Sequence, residues 1–401
     1  MARTLFAGGM VFDGTGAQPH PADVAVEDGR IVDIGPGLDG DERVDVTGRM
    51  LLPGLFDCHT HVVVSTIDET RNLHTPFSYR FYQAARNLAA TLRIGITSVR
   101  DAGGADLGIK QAVADGLISG PRMQISLGMI SQTGGHGDGW VASGEEVHAL
   151  LPRHPGVPST LVDGPDEMRR MVRTLVRMGA DVIKVATSGG VLSPRDKPTH
   201  AHLRPAELEV LVEEATAAGI YGMAHAQATP GIKNAIRAGI RSIEHGIYLD
   251  DEAISLMLER GTWLVPTLVA PRGVLEAAAA GAAIAPDSVR KAEEVVEVHA
   301  ESFRRAVAAG VRVAMGTDSG VTAHGENLRE VALMVEGGMT PAQALHATTL
   351  SAAELLGMAD ELGSLEPGKR ADLVVIDGDA LDVATLPQRI GAVYMDGRRV
   401  V

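Results

Sequence analysis

Two histidines separated by one residue, His59 and His61, follow the apolar start of the segment LLPGLFDCHTHV (51–62). The composition of this segment predicts a β-strand. Because side chains alternate along a strand, both imidazoles would lie on one face, two residues apart. Two imidazoles in that arrangement can bind one metal ion at distances of ~2 Å. The alternative is a pair of surface histidines on an edge strand, because the pattern is short.

Lys184 stands among valine and isoleucine in the segment DVIKVAT (181–187). A lysine on a buried strand needs a partner or a modification, because unpaired buried lysines are rare. Reaction of the amine with CO2 would give a carbamate, an anionic group whose two oxygens can bridge two metal ions. A buried salt bridge with a nearby acid is the alternative.

Three further polar residues end apolar segments: His225 in GMAHA, His245 in SIEHG and Asp318 in AMGTDSG. A single histidine in such a place is more often a core or rim residue, and an aspartate there often caps a turn. Together with the histidine pair, however, the three residues indicate a metal site. A carboxylate beside a metal-bound water can take its proton and later pass it to the leaving nitrogen, which predicts a catalytic role for Asp318.

The segments that carry these residues recur through the interior of the chain, with amphipathic stretches between many of them. The stretch 204–219 has apolar residues at helical spacing and ends at Gly219, as a helix would. Eight strands with intervening helices predict an α/β fold, a (β/α)8 TIM barrel, with its chemistry at the carboxyl ends of the strands. An open doubly wound sheet is disfavoured, because no glycine-rich phosphate fingerprint follows the first strand. The predicted strands are 51–62, 95–103, 122–130, 181–187, 220–226, 240–246, 262–268 and 311–318.

Both ends of the chain differ from this interior. Residues 1–50 and the last forty residues contain short β-rich runs separated by glycine and aspartate, as in ADLVVIDGD and IGAVYMDGRRVV. We predict that 1–53 and 360–401 together form a small β-sandwich domain. Residues 54–359 would form the barrel.

The composition limits the classes of function. Of the 401 residues, 45% are hydrophobic, which excludes intrinsic disorder. The formal charge of −15 disfavours a nucleic-acid partner, and the single cysteine, Cys58, excludes an internal disulfide and fits a reducing compartment. Since no run of ~18 apolar residues is present either, we expect a soluble cytoplasmic protein with no membrane partner.

The combined pattern resembles the amidohydrolase superfamily along essentially the whole chain. The similar features are HTH after the first strand, lysine on the fourth, histidine on the fifth and sixth, and GTDSG on the eighth. The segment that leads into the predicted barrel, LLPGLFDCHTHV, and the segment that leads out of it, GSLEPGKRADLVVIDGD, are also similar to those of the superfamily. SVRDAGG, SQTGGHGDGW, KVATSGGV and SIEHG are similar to its imidazolonepropionase-like branch, which contains binuclear metal-dependent dipeptidases of the prolidase type.

This resemblance implies a site with two divalent metal ions, for which zinc is the expected element. The implied ligands are His59, His61 and Asp318 for the first metal, His225 and His245 for the second, and N6-carboxylated Lys184 as the bridge. His136, in GGHGDG, matches a histidine that receives the substrate carboxylate or polarises its carbonyl. A histidine of a flexible loop is the alternative there. Gln227 stands where some of these dipeptidases have a tyrosine, and is a predicted substrate-binding residue.

A cationic segment, SPRDKPTHAHLRP, follows the fourth strand of an otherwise acidic protein. It could hold an anionic group of the substrate, or it could be an ordinary solvated loop. From it we predict substrate contacts by Arg195 and His202, and Arg272 beyond strand seven is a further candidate. Five other histidines, which fall in loops or helices, are interpreted as surface residues: His20, His148, His154, His299 and His346.

The implied reaction is hydrolysis of an amide bond in a small-molecule substrate, a dipeptide or an N-acyl amino acid, by a hydroxide that bridges the metals. A mononuclear deaminase or cyclic-amide hydrolase is one alternative, although such enzymes generally lack the strand-four lysine. An esterase, lactonase or phosphotriesterase on the same centre is another, and a non-catalytic scaffold is a third. We also expect a homo-oligomer, as for many enzymes of this type.

Overall fold

The computed structural model describes residues 2–193 and 196–401. Sixteen strands lie in these residues: β1 (Thr4–Val11), β2 (His20–Glu27), β3 (Arg30–Gly35), β4 (Glu42–Asp45), β5 (Arg49–Pro53), β6 (Leu55–Thr60), β7 (Ile96–Asp101), β8 (Arg122–Ile125), β9 (Met129–Ile130), β10 (Val182–Ala186), β11 (Tyr221–Ala226), β12 (Ser242–His245), β13 (Trp263–Val265), β14 (Leu373–Asp377), β15 (Ile390–Met395) and β16 (Arg398–Arg399).

The described helices are α1 (Glu69–His74), α2 (Tyr79–Arg93), α3 (Leu107–Ala114), α4 (Pro165–Arg177), α5 (Pro205–Ala217), α6 (Thr229–Ala238), α7 (Asp251–Arg260), α8 (Val269–Ala279), α9 (Pro286–Ala309), α10 (Arg329–Glu336), α11 (Pro341–Ala347), α12 (Leu350–Leu356) and a 3-10 helix (Val383–Arg389). Several begin with proline in the first turn, where the missing N–H costs nothing. Others end at a glycine in the left-handed conformation, such as Gly239 and Gly310. Local sequence therefore sets the ends of many helices.

The barrel consists of two runs of parallel strands. One has the order β6-β7-β8 and the other β13-β12-β11-β10-β9. Asp181 N–H donates to Ile125 O (2.9 Å) between the third and fourth predicted strands. The predicted strand 311–318 pairs with its neighbours only through isolated bridges, Leu264↔Val313 and Thr60↔Ser319. These contacts complete the ring, and the predicted barrel fold is confirmed.

The predicted first strand, 51–62, is divided between two sheets. β5 pairs antiparallel with β14 in the terminal sheet, whereas β6 pairs with β7 in the barrel. Gly54 lies at the junction, and its N–H donates to Asp372 O (2.8 Å). The single strand expected here is therefore wrong, because the chain changes sheets at this glycine.

The terminal sheet combines strands from both ends of the chain in the order β16-β15-β14-β5-β1-β2-β3. β4 pairs with the first half of β1 and β5 with the second half, so the sheet forks along β1. Phe6, Leu51 and Val375 are among the residues of one apolar cluster in this sheet. The division at residues 53/54 and 359/360 stays a prediction.

None of the helices within residues 2–193 and 196–401 is long and apolar enough to cross a membrane. The longest, α9, has 24 residues and carries several glutamate, arginine and lysine side chains. Its buried residues include Val295 and Phe303, so one side of the helix packs on the protein.

We predict that Gly54→Ala destabilises the protein. A Cβ atom on Gly54 would overlap the Thr97 side chain and lie 3.0 Å from the Cβ of Asp372. Such overpacking is expected to lower the free energy of unfolding by about 1–3 kcal/mol. Chemical denaturation would measure it, with Gly35→Ala as the control, because no atom lies within 4 Å of a Cβ at Gly35. Equal midpoints for the two variants would contradict the prediction.

Candidate metal centre

A cavity of about 330 Å³ lies where the carboxyl ends of the barrel strands meet. Its polar wall residues come from several segments that are distant in the sequence. All six sequence-predicted ligands line it: His59, His61, Lys184, His225, His245 and Asp318. The fold therefore brings together residues that are up to 259 positions apart in the chain, from 59 to 318.

Asp318 lies between the two histidines of the HxH pair. Its Oδ1 is 3.1 Å from Nε2 of His61 and 3.4 Å from Nε2 of His59. Nζ of Lys184 is also 3.4 Å from Nε2 of His59. Donor atoms 3.1–3.4 Å apart are at the separation of ligands that bind one metal ion at ~2 Å.

The other two histidines continue this cluster. The ring centroids of His59 and His245 are 5.1 Å apart, and those of His245 and His225 are 4.6 Å apart. One ligand atom each of His59, His245 and Asp318 lies within 4.8 Å of the others. The arrangement is thus one continuous group of imidazole, carboxylate and amine donors.

Hydrogen bonds hold the outer nitrogen of each histidine. Nδ1 of His59 donates to Glu244 Oε2 (2.8 Å), and Nδ1 of His61 donates to Gly103 O (2.8 Å). His245 and His225 are held by Thr267 Oγ1 (2.7 Å) and Gly189 O (3.1 Å), the latter through Nε2. Partners of this kind fix the tautomer of a metal-binding histidine and leave the other nitrogen as a ligand. The donor set therefore fits divalent metal ions.

A buried ion pair lies beneath the centre, inside the barrel. Arg100 from β7 donates from Nη2 to Glu244 Oε1 (2.9 Å) and from Nε to Cys58 O (2.7 Å). Both charged side chains are 0% exposed. Sequence reasoning missed this pair, although both residues lie within segments predicted as buried strands. The signal that could have revealed it is the same as for Lys184, namely a charged side chain within a buried strand.

Lys184 is 1% exposed and forms no ion pair with a carboxylate in the described part of the chain. Burial lowers its pKa to about 8, against the attraction of Glu244 and Asp318. The salt bridge considered as an alternative for this lysine is therefore not present within residues 2–193 and 196–401. A buried amine without such a partner is suited to carbamate formation, since its neutral form is the nucleophile.

Burial favours the neutral, metal-binding form of three of the histidines, whereas the hydrogen bond and charge of Asp318 raise the pKa of His61 against its burial. Burial holds the pKa values of His59, His225 and His245 well below the ordinary value, so these imidazoles are neutral. Burial alone would raise the pKa of Asp318, but its hydrogen bond with His61 and the nearby charges of His61 and Lys184 hold it well below its usual range. Asp318 is therefore an anion.

Three site residues adopt the left-handed backbone conformation that non-glycine residues avoid: His245 (φ 71°), Thr267 (φ 53°) and Asp318 (φ 61°). Each such residue costs on the order of 1–3 kcal/mol and persists only where its surroundings enforce it. Asp318 N–H donates to His59 O (2.7 Å), which is one such restraint. The conformation directs the side chains at these strand ends.

The predicted substrate-binding residues fall into three groups. His136 and Gln227 line the cavity. His202 is buried but is absent from the described cavity wall, and Arg272 is 38% exposed, with its guanidinium 3.9 Å from Glu336. Arg195 lies outside the described residues.

The interpretation of His299 as a surface residue is wrong. It is 1% exposed, and its Nε2 donates to the carbonyl of His245 (2.9 Å). His299 and His148 both line the cavity. Their positions follow from how helix α9 and the long loop before α4 pack on the barrel, which sequence patterns do not reveal.

The outer wall of the cavity is largely apolar. Its side chains come from the loops that follow the barrel strands and from helices α1 and α8, among them Ile67, Leu73, Trp140, Leu150, Leu192 and Val274. A substrate would thus meet the polar donors at the base and apolar groups around them.

Comparison with known proteins shows the family of the chain. The sequence profile of the Amidohydrolase family matches residues 50–400. The chain belongs to the amidohydrolase family. This amidohydrolase is therefore a hydrolase that acts on carbon–nitrogen bonds, as its relatives support.

Its relatives and structural neighbours match over nearly their full length. Ochratoxinase of Aspergillus niger is 34% identical, over 98% of this chain and 86% of that protein. An imidazolonepropionase of Rhizorhabdus wittichii is 27% identical, over 92% and 90%. A Xaa-Pro dipeptidase with methionine bound in its active site superposes with a TM-score of 0.89 at 31% identity, covering 99% of both chains. A prolidase complexed with N-methylphosphonate-L-proline has a TM-score of 0.89 at 35% identity, with the same coverage.

We predict that Glu244→Gln weakens both the fold and metal binding in this amidohydrolase. The variant leaves Arg100 buried without its counter-charge, which is expected to lower the free energy of unfolding by roughly 3 kcal/mol. It also replaces the carboxylate that orients His59, so metal affinity should fall about 10-fold or more. Denaturant unfolding and competition with a chelator would measure the two effects.

The matched control is Glu259→Gln on α7, an exposed glutamate whose carboxylate lies 3.5 Å from Arg260. It should leave stability and metal affinity unchanged. If Glu244→Gln behaved like this control, the buried pair would have no part in holding His59.

Proposed function

We propose that this protein is a binuclear metal-dependent amidohydrolase that cleaves the amide bond of a dipeptide or an N-acyl amino acid. One observation carries the proposal: a buried lysine lines the same cavity as four histidines and an aspartate. This lysine forms no ion pair with a carboxylate in the described residues. A mononuclear site needs no such lysine. The binuclear reading therefore accounts for a residue that the one-metal alternative leaves unexplained.

The proposed cofactors are two zinc ions. His59, His61 and Asp318 would hold one and His225 and His245 the other, with N6-carboxylated Lys184 between them. When bound, the two cations would lower the pKa of a water molecule and polarise the amide carbonyl.

Asp318 is the proposed proton shuttle. Its carboxylate is anionic and lines the cavity, so it can accept a proton from the attacking water. The same group can then donate that proton to the nitrogen that leaves. Its hydrogen bond with His61 keeps the carboxylate directed at the base of the cavity.

His136 and Gln227 are the proposed contacts to the rest of the substrate. Nδ1 of His136 is held by Ser193 and Asp196, so Nε2 is the ring nitrogen left for the substrate's carbonyl or carboxylate oxygen. Gln227 is 4% exposed, and its Oε1 has no hydrogen-bond partner within the described chain. Because a buried amide without a partner is costly, a substrate group that pairs with it would bind favourably.

The apolar outer wall supports a substrate with apolar groups beside the scissile bond. Ligands with that character occur in related structures, namely methionine in the Xaa-Pro dipeptidase and N-methylphosphonate-L-proline in the prolidase. The relation to ochratoxinase further supports an amide as the bond that is cleaved.

A cytoplasmic location and a homo-oligomeric state stay proposals. The single cysteine is buried and unpaired, which is compatible with a reducing compartment.

The homo-oligomeric state is supported by a surface feature. Exposed aromatic side chains at Phe77, Tyr79 and Tyr82 are of the kind that interfaces cover. Light scattering of the purified protein would measure its mass in solution.

We expect purified protein to contain about two equivalents of divalent metal, and Lys184→Ala to lose the second equivalent together with hydrolysis, by about 1,000-fold or more. Elemental analysis and amine release would measure these. Lys110→Ala is the matched control, since that lysine pairs with Asp181 away from the cavity (2.6 Å). One equivalent in the wild type, or full activity in Lys184→Ala, would exclude the binuclear centre.

The substrate class is tested separately with a panel of dipeptides and N-acyl amino acids. We expect the zinc-loaded enzyme to prefer amides with apolar flanking groups, because these fit the outer wall of the cavity. Turnover of esters, lactones or phosphotriesters without any amide would reject the proposed bond specificity while leaving the metal centre in place.

A further inference from the structure

His136 is held in one orientation by contacts on several sides. Its ring stacks on that of His225, with centroids 4.1 Å apart and an interplanar angle of 19°. Its Nδ1 lies 2.8 Å from Ser193 Oγ and 3.2 Å from Asp196 Oδ2. Gly190 lies close beneath it, since a Cβ there would be 2.7 Å from Nδ1. A loop histidine with these contacts has little freedom to rotate.

Asp196 is the charged member of this group and is 6% exposed. Besides His136, it accepts hydrogen bonds from the Gly190 N–H (3.1 Å) and from the Ser193 hydroxyl. The carboxylate thus contacts both the histidine and the loop under it. Burial by itself would raise the pKa of Asp196, but the hydrogen bonds from His136 and Ser193 hold it below its usual value.

Lys291 joins this group to helix α9. It is 2% exposed, and its ammonium donates to the carbonyls of Ser193 and Asp196, both at 2.6 Å. Its Nζ is 3.6 Å from Asp196 Oδ1 and 3.2 Å from the Asp287 carboxylate. Burying the lysine ammonium costs desolvation free energy, which these hydrogen bonds and carboxylates offset. Helix α9 therefore anchors the loop that holds Asp196.

We propose that Asp196, anchored by Lys291, is a positioning residue that sets the tautomer and direction of His136. The proposal rests on the proposed function, in which His136 contacts the substrate. A carboxylate that accepts from Nδ1–H requires the proton on Nδ1 and directs Nε2 away from itself. Because His136 lines the cavity, Nε2 then faces the substrate. The rival explanation is that Asp196 only stabilises its loop.

A double-mutant cycle separates these explanations. If Asp196 acts through His136, Asp196→Ala should lower kcat/KM about 30-fold in the wild type but less than about 3-fold in a His136→Gln background. A purely structural role predicts the same loss in both backgrounds. Equal losses would overturn the proposal.

Two further variants test the charge and the anchor. Asp196→Asn keeps an acceptor oxygen of the same shape, and we expect it to lose less activity than Asp196→Ala. Asp287→Asn is the matched control, because Asp287 contacts the same lysine, does not contact His136 and is 39% exposed. It should remain within about twofold of wild type, and a loss as large as that of Asp196→Ala would assign the effect to Lys291 and the loop alone.

A spectroscopic measurement tests whether Asp196 positions His136 without relying on an activity assay. In protein labelled with [15N]histidine, the Nδ1–H resonance of His136 can be assigned by its loss in His136→Gln. We expect Asp196→Ala to shift this resonance and speed its exchange with water, and Asp287→Asn to leave it unchanged. An unchanged resonance in Asp196→Ala would overturn the proposal. If the wild type cleaved no amide, the proposed function would fail, and this measurement would still test the role of Asp196.

Discussion

The contact between Arg100 and Glu244 inside the barrel is the interaction on which the proposed metal centre depends. Both charges are fully buried, so each needs the other to offset its desolvation. Ser242 Oγ and the Cys58 carbonyl complete the hydrogen bonding of the pair. The second oxygen of Glu244 holds His59, which places the first ligand. Barrel packing and the proposed metal site are therefore coupled through one carboxylate.

Backbone strain at the strand ends is the second constraint. His245 and Asp318 adopt a conformation that costs free energy, and the surrounding hydrogen bonds offset that cost. His299 donates to the carbonyl of His245, and Asp318 N–H donates to the carbonyl of His59. Helix α9 contributes both His299 and Lys291, so one helix restrains the proposed ligand His245 on one side and the loop under His136 on the other. Its role in the site is positional, since α9 supplies none of the proposed metal ligands.

The site combines a rigid polar base with apolar walls made from loops. The base is built mainly at the ends of barrel strands, which position side chains more precisely than loops do. The walls come from loops such as the one that carries Trp140 and Leu150. This division explains why one family can keep its metal chemistry while its members act on different substrates. In this chain, Gln227 and His136 lie where the base meets the walls.

The sequence by itself determined the α/β barrel, the terminal β strands and the identity of the polar residues that end the barrel strands. It could do so because strand periodicity and HxH spacing are local properties, readable in Asp57–His61 or in 181–187. It did not reveal the change of sheet at Gly54, the Arg100–Glu244 pair, the burial of His299 or the Asp196–Lys291 anchor. Those features depend on which distant segments pack together, since residues such as 100 and 244 become neighbours only when the barrel closes. Tertiary structure alone decided them. A buried charge is stable only beside a compensating partner, and that partner comes from a segment distant in the sequence.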